Sequence, residues 1–261
     1  MKEKFSYFDF LCNIIIGTLL LWAIMTLINE LNTEIKFATD NVITDSLLLV
    51  ILAFIIGHAL QAKAKKTIEP ALNKKYWYNS SPQQIYLIKE KSFCPKIKRD
   101  MIIGLLIAKF GFSEKDINKL NQESKEAKDL SEFCSYLCFT FLTDKGIGEK
   151  ANIQNCFYYF FRGLTLSSLY SSIIFGSLFL YALITKLAIR PIELSCDFEL
   201  IYPLVLAVLL FYFHYLFRDG AKLRAEAHIH EVFTSVIGYF VPYSKEKKKF
   251  GLLDLLKLLF K

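Results

Sequence analysis

Four long apolar runs, none of which contains Lys, Arg, Asp or Glu, constrain this chain more than any other feature of its sequence. Each is close to the roughly 20 residues that a helix needs to cross a hydrocarbon core of about 30 Å. The shortest run, with 17 residues, would fit a buried soluble helix if it stood alone, but four such runs predict membrane spans. We therefore expect an all-α fold, a polytopic membrane protein with transmembrane helices at residues 10–28, 46–62, 164–184 and 200–217.

These runs divide the 261 residues into four segments. The predicted segments are an N-terminal transmembrane hairpin at 1–63, a cytoplasmic helical domain at 64–163, a second transmembrane hairpin at 164–217 and a cytoplasmic tail at 218–261. The basic leader before the first run is not followed by small residues at a cleavage spacing. The first run is therefore expected to stay attached as a signal anchor.

Charges outside the spans predict the orientation. Residues 64–163 carry 17 Lys and Arg against 11 Asp and Glu, and the tail from Arg218 carries 9 against 5. The two short loops are poor in positive charge, with one basic residue against four acids at 30–45 and two against three at 186–199. Because cytoplasmic loops are rich in Lys and Arg, we expect both termini and the long loop in the cytoplasm of a bacterial cell, on the inner membrane.

The same count explains the composition. The chain is 54% hydrophobic and 22% charged, with a net charge of +7, which in a soluble protein would raise nucleic acid as a partner. Here the positive excess lies on the predicted cytoplasmic segments, so topology accounts for most of it. Direct nucleic-acid binding is not expected.

The long loop carries the signals of several short helices. Ser81 before Pro82 predicts a helix start, and Gly111 a helix end. Ser113 predicts a second start and Ser131 a third. The helices expected from these signals cover residues 83–91, 96–110, 114–128 and 132–142, with a further one running through 156–162 into the third span.

The tail divides into two parts. Residues 218–240 are predicted to continue the fourth span as a helix, and residues 250–261 form a leucine-rich amphipathic helix after a basic stretch. Such a segment suits the membrane interface, where it would bind anionic lipids. Docking on a partner subunit is the alternative. The predicted interface and lipid-contacting residues are Arg162, Arg218, Lys247, Lys248, Lys249 and Lys257.

Cysteine spacing gives no metal site. Cys134 and Cys138 are one helical turn apart and Cys156 follows, but no histidine accompanies them and aromatic residues surround the pair. Buried thiols in a helical core are favoured over a zinc site or a thiol switch. We predict neither a metal nor a cofactor for this chain, and Cys196 on an outer loop has no obvious partner.

Polar residues within the spans are candidates for a gate. His58 and His214 lie late in the second and fourth spans, and Asn13 lies in the first. Polar groups at such depth usually face the interior of a bundle or a water-filled path. Alternatively each makes one interhelical hydrogen bond. One glycine per span, at Gly17, Gly57 and Gly176, would permit close contact between helices or subunits.

The pair Arg224 and His230 has the loose active-site spacing of HEPN-type ribonucleases, in which arginine stabilises phosphate charge and histidine transfers protons. The competing interpretation is that Arg224 anchors the helix at the membrane interface or contacts another subunit. No phosphate loop, zinc-protease motif or lipase elbow is present. We therefore predict that the chain is not an enzyme, with a ribonuclease as the weaker alternative.

In its layout the whole chain resembles the small multi-pass membrane proteins of bacterial anti-phage loci, among them those that accompany type VI CRISPR RNA-targeting effectors. The resemblance implies an oligomer of the inner membrane that perturbs the membrane or modulates a soluble immune nuclease. In one class it also implies a degenerate HEPN-like motif, which would fall on Arg224 and His230. The segments that carry it are Phe8-Asp9-Phe10, Gly57-His58, Phe160-Phe161-Arg162, and Phe217-Arg218 with the helix of residues 227–233.

Three functions remain to be compared. The first is an accessory or effector protein that permeabilises the membrane as an oligomer or acts on a soluble CRISPR nuclease. The second is a membrane-tethered HEPN-like ribonuclease, and the third is a constitutive channel or transporter unrelated to defence.

Overall fold

Eight α-helices and one 3₁₀ turn make up the regular structure of residues 7–31, 42–189 and 198–241, which are the residues that the computed structural model describes. No strand occurs in those ranges. The 3₁₀ turn covers Lys119–Asn121. The helices are α1 (Tyr7–Glu30), α2 (Val42–Tyr76), α3 (Pro82–Ile85), α4 (Lys96–Phe110), α5 (Glu114–Asn118), α6 (Lys125–Asp144), α7 (Glu149–Ile189) and α8 (Phe198–Phe240).

Four of these helices, α1, α2, α7 and α8, are long and apolar enough to cross a membrane. The predicted all-α, multi-pass architecture is therefore confirmed. At 1.5 Å per residue, the 41 residues of α7 extend over roughly 62 Å, about twice the hydrocarbon thickness of a bilayer. A membrane can thus enclose only part of this helix.

The chain divides into two compact units. Unit 1 consists of Met1–Ala71 and Cys156–Lys222, and unit 2 consists of Leu72–Asn155 and Leu223–Lys261. The two predicted hairpins fall together in unit 1. The last part of α8 joins the predicted loop domain in unit 2, and α2, α7 and α8 each contribute residues to both units.

In unit 1, α1 and α2 make backbone contact at two glycines. A Cβ atom at Gly57 would lie 1.8 Å from the carbonyl oxygen of Asn13, and one at Gly17 would lie 1.7 Å from that of Ala53. No side chain fits at either position, so the two glycines allow this crossing. By contrast, a Cβ atom at Gly176 would meet nothing within 4 Å among the described residues.

Helix α7 packs in unit 1 through small hydroxyl residues. The hydroxyl of Ser167 donates to the carbonyl oxygen of Ile16 on α1 at 2.8 Å. The hydroxyl of Ser172 donates to the carbonyl oxygen of Ala207 on α8 at 2.7 Å. Small side chains let helices approach closely in a membrane, where interhelical hydrogen bonds add to packing. The buried small polar residues of α7 are Thr165, Ser167, Ser168, Ser171 and Ser172.

The core of unit 2 forms between α4, α6 and the last turns of α8. Phe233 of α8 stacks on Tyr86, with ring centroids 5.2 Å apart. Apolar side chains at helical spacing on each element give the core its continuity. Its buried members include Ile102, Leu105, Leu106, Cys134, Cys138, Leu142, Ile229, Val232, Phe233 and Val236.

Three predicted helix ends are confirmed in unit 2. Ser81 caps α3 in a capping box with Gln84, and Ser113 caps α5 by accepting from the backbone N–H of Asp116. Gly111 ends α4 with φ at 74°, in the left-handed region that glycine adopts without a steric penalty.

The expected helix at residues 83–91 is wrong, because only its first turn forms. The carbonyl oxygen of Leu87 accepts a hydrogen bond from Nε of Arg99 at 2.7 Å. The N–H of Lys89 donates to the carbonyl oxygen of Leu120 at 3.0 Å. These long-range partners satisfy the backbone groups that a continuing helix would have paired locally.

The expected boundary at Ser131 is also wrong. The helix predicted over 114–128 breaks into α5 and the 3₁₀ turn, and α6 begins at Lys125 with Ser124 as its cap. Ser131 lies inside α6, fully buried, and its hydroxyl donates to the carbonyl oxygen of Gln83 at 2.7 Å. A tertiary contact therefore uses the hydroxyl that the sequence pattern assigned to a cap.

Some predictions lie outside the described residues. They are the two outer loops except for their ends, Cys196, the lysines at 247, 248, 249 and 257, and the amphipathic helix at 250–261.

Candidate functional sites in the two units

The three predicted gate residues of unit 1 lie in different surroundings. His214 is half-buried, and its Nδ1 donates to the carbonyl oxygen of Thr165 on α7 at 2.9 Å. His58 is exposed on α2, where its ring stacks on Phe54. Asn13 is buried at the crossing of α1 with α2, and its Oδ1 has no partner among the described residues. No hydrogen bond joins any two of these residues within the described ranges.

Arg162 occupies the most developed polar site of unit 1. Its side chain is 6% exposed, and Nη1 pairs with Oε2 of Glu69 on α2 at 2.5 Å. The guanidinium also lies over the rings of Tyr158 and Tyr159, at 5.3 and 4.9 Å. Close to it, Nε2 of Gln61 donates to the carbonyl oxygen of Tyr159 at 2.8 Å. The ion pair and the two rings compensate a buried charge that would otherwise be costly.

Arg218 has a simpler environment at the end of the apolar part of α8. Its guanidinium lies 4.7 Å from the ring centroid of Tyr215. Arginine beside tyrosine is typical of the membrane interface. The predicted interface role of Arg162 and Arg218 remains a prediction, and the predicted lipid-contacting lysines of the tail are not described.

Arg224 and His230 belong to unit 2, where they bond to different residues. Six residues apart on one helix, they are separated by roughly 9 Å along the axis and about 120° around it. Arg224 donates to Oε1 of Gln154 at 3.0 Å. His230 instead contacts Tyr86 and Lys98. The two side chains therefore contact different partners within unit 2.

His230 is the centre of a second polar cluster, formed within unit 2 by three other elements. Tyr86 at the end of α3 places Oη 3.2 Å from Nδ1 of His230. Lys98, in the first turn of α4, places Nζ 3.1 Å from Nε2. Nζ also donates to the carbonyl oxygen of His230 at 3.1 Å and to the hydroxyl of Thr234. Cys94 is part of the same cluster and further raises the pKa of Tyr86.

Burial shifts the pKa values of this cluster. Burial lowers the pKa of Lys98 to about 8, although nearby Cys94 and Glu231 act in the opposite direction. Burial raises the pKa of Tyr86 and of Cys94, so both remain protonated at neutral pH.

The cysteine pair of α6 is part of the core. Cys134 is fully buried and Cys138 is 1% exposed. Burial raises the pKa of Cys134 to about 12 and raises that of Cys138 as well. Thiols held in the protonated form without access to solvent are poor nucleophiles and poor metal ligands. Among the described residues, no group of three or more His, Cys, Asp or Glu side chains is placed to bind a metal.

Several residues of these sites were not found from the sequence. Gly163, Ser167 and Ser171, with three residues between successive members, form the small-residue signal that would have identified the face of α7 toward α1. Glu69 and Lys98 carry no comparable signal, because each meets its partner through contacts distant in sequence.

Comparison with known proteins adds no relative: no known family matches the sequence, and no curated protein or solved structure is significantly similar to it.

Proposed function

We propose that this chain is a multi-pass protein of the bacterial inner membrane, with both termini in the cytoplasm, that acts without catalysis as an accessory or effector protein of an anti-phage system. The observation that supports the non-enzymatic role is that both candidate side chains are engaged in structural contacts: Arg224 bonds to Gln154, and His230 contacts Tyr86 and Lys98. The link to defence comes from the motif resemblance alone. The orientation comes from the basic residues of the long loop and tail.

The membrane role draws on the surface of unit 1. Large apolar side chains are exposed along α2, with Leu47 60% and Ile55 56% exposed, and along α8, with Val208 62% exposed. Patches of this kind are covered by lipid or by other subunits in stable proteins. The charged tail segment supplies a further contact with anionic lipid.

A pore version of the proposal needs several copies. Within one chain, the hydroxyls of Ser167 and Ser172 and the ring of His214 are used in contacts between helices. Of the two histidines in the apolar runs, His58 is the more exposed. In an oligomer it would line the path or pair with a neighbouring copy, because an ionisable group facing lipid is costly.

Reporter fusions test the orientation. Alkaline phosphatase fused within residues 32–41 or 190–197 should be active, and fused after residue 241 it should be inactive. A fluorescent protein should give the opposite pattern. The reverse result would place the basic loop outside and contradict the proposed topology.

A potential-sensitive dye tests the pore version during phage infection. Cells with the wild-type protein should depolarise, and His58→Leu should reduce the response at equal protein level. Ser177→Ala is the matched control, because Ser177 is exposed on α7 and its hydroxyl donates to the carbonyl oxygen of Ile173 on the same helix. If cells resist phage with no change in potential, the pore version is wrong, and copurification of a soluble nuclease would then support the modulating version.

The ribonuclease alternative makes a different prediction. Purified wild-type protein, with the triggering complex supplied in a catalytically inactive form, should leave RNA intact if the proposal holds. RNA cleavage that both Arg224→Ala and His230→Ala abolish, with membrane insertion unchanged, would overturn the non-enzymatic role. Transport by proteoliposomes without any trigger would instead support the constitutive channel.

A further inference from the structure

The hydrogen bonds around His230 determine where its ring proton lies. A lysine ammonium has three donors and no acceptor, so the contact from Nζ of Lys98 requires a lone pair on Nε2. The ring proton of the neutral imidazole is then on Nδ1 and is donated to Oη of Tyr86. This arrangement accommodates a neutral His230 only.

Protonation of His230 disrupts the arrangement. A proton taken from solvent onto Nε2 turns the acceptor into a donor, and two positive groups then face each other at 3.1 Å. Tyr86 from α3 and Cys94 from the preceding loop are neutral at that pH and cannot compensate. The carboxylate of Glu231 on α8 raises the pKa of both Lys98 and His230. On α4, Arg99 lowers the pKa of Cys94 and Asp100 raises it.

The site connects three elements of unit 2. Lys98 belongs to the first turn of α4, and its three hydrogen bonds all go to α8, at His230 and Thr234. Tyr86 is fully buried and stacks on Phe233 of the same helix. Protonation of Nε2 removes one of these bonds. The positive charges of His230 and Lys98 then repel the start of α4 from α8.

We infer that His230 is a proton-binding latch: in the neutral form it holds the start of α4 against α8, and one proton on Nε2 releases it. The ligand of this site is the proton itself, so unit 2 responds to acidification of the compartment it faces. Opening should occur below the ordinary imidazole value of about 6.5, because partial burial and the Lys98 ammonium both lower the pKa of His230.

Hydrogen exchange of the full-length protein in detergent tests the latch. Amide protection of residues 99–103, corrected for the intrinsic pH dependence of exchange, should fall at least tenfold between pH 7.5 and pH 5.5. In His230→Gln the protection should not depend on pH, because a neutral amide can neither gain the proton nor repel Lys98. Equal protection of the wild-type residues at both pH values would overturn the inference.

Two further variants separate the latch from a general effect of acid. His58→Gln, in unit 1, should keep the full loss of protection. In Lys98→Met the amide protection should no longer fall with pH, although His230 still titrates. The pKa of His230, followed by its ring resonances in NMR spectra, should rise toward the ordinary value. Loss of protection that persists in both His230→Gln and Lys98→Met would show that another group is responsible.

Discussion

Arg162 and Arg99 are both buried arginines, but their charges are compensated in different ways. Arg162 in unit 1 pairs with the carboxylate of Glu69 and lies over two tyrosine rings. Arg99 in unit 2 donates mainly to neutral oxygens, those of Leu87, Leu120 and Asn121, and burial lowers its pKa. A charge matched to one carboxylate can be tested by removing either partner, because the other is then left uncompensated.

Removal of Arg162 should destabilise the protein strongly. Arg162→Ala is expected to lower the free energy of unfolding by about 3 kcal/mol, since Glu69 loses its partner in a half-buried place. The measurement is unfolding of the purified protein by denaturing detergent.

The double variant Arg162→Ala with Glu69→Ala provides the control. Its loss of unfolding free energy should be smaller than the sum of the losses in the two single variants, by a coupling energy of about 1–3 kcal/mol. Additive effects would mean that the ion pair contributes nothing and that the tyrosine rings dominate.

The lowered pKa of Lys98 predicts a pH effect on unit 2. Between about pH 8 and the ordinary lysine pKa near 10.4, Lys98 keeps its proton in the unfolded chain but has lost it in the folded chain. The stability of the wild type relative to Lys98→Met should therefore rise with pH across this window, by about 1 kcal/mol after allowance for solvent screening.

Fluorescence of Trp77 reports this change, since the ring is 1% exposed in unit 2 and its N–H donates to Glu226. Replacing Trp22 by Phe leaves Trp77 as the sole tryptophan of the chain. A difference in melting temperature between wild type and Lys98→Met that stays constant from pH 7.5 to 10 would contradict the prediction.

At the scale of helices, unit 1 is held together by backbone contacts that only small residues permit. Gly17 and Gly57 bring α1 against α2, and hydroxyl residues bring α7 against α1 and α8. In a membrane the apolar side chains gain little by leaving lipid, so packing and interhelical hydrogen bonds supply most of the association. A single methyl group in such a contact should therefore matter more than the loss of one hydrogen bond.

Gly57→Ala should separate α1 from α2. Its Cβ would lie 1.8 Å from a backbone oxygen, so we expect a loss of about 3 kcal/mol in unfolding free energy. Detergent-induced unfolding gives this value.

Gly176→Ala is the matched control, because its Cβ meets no atom of the described chain within 4 Å. It should be neutral or gain up to about 1 kcal/mol from better helix propensity. A large loss at Gly176 would reveal that this face contacts another copy, and an unchanged Gly57→Ala would contradict the close crossing.

Local sequence signals predicted those helix features that depend on local contacts. The caps at Ser81 and Ser113 and the end at Gly111 are formed by neighbouring residues, and all three are present. Ser131 is a residue type that commonly caps helices, but its hydroxyl donates to the carbonyl oxygen of Gln83. No local sequence pattern reveals this contact. The proximity of Lys98 to His230 likewise depends on the packing of α4 against α8.

At the scale of the whole molecule, unit 2 is assembled from two distant stretches of the chain. Its core needs Ile229, Val232, Phe233 and Val236, which follow the fourth span, as much as the helices of residues 72–155. The predicted loop domain of residues 64–163 therefore does not contain its own complete core.

Truncation tests this dependence. A chain ending at residue 222 should insert into the membrane but leave the rest of unit 2 without a stable fold, because four buried core side chains are missing. A chain ending at residue 241 keeps them and should retain the fluorescence and melting behaviour of Trp77. A cooperative melting transition of Trp77 in the shorter chain would contradict the prediction.

The hydrogen bond from Ser167 to Ile16 joins residues separated by 151 positions, and this separation has a consequence during synthesis. At a translation rate of roughly 5–20 residues per second, the third span leaves the ribosome about 8–30 s after the first. Throughout that interval the carbonyl oxygens of α1 at this contact have no serine partner. The N-terminal hairpin must therefore survive in the bilayer on its own glycine crossing, which makes Gly17 and Gly57 important for biogenesis before they matter for the finished protein.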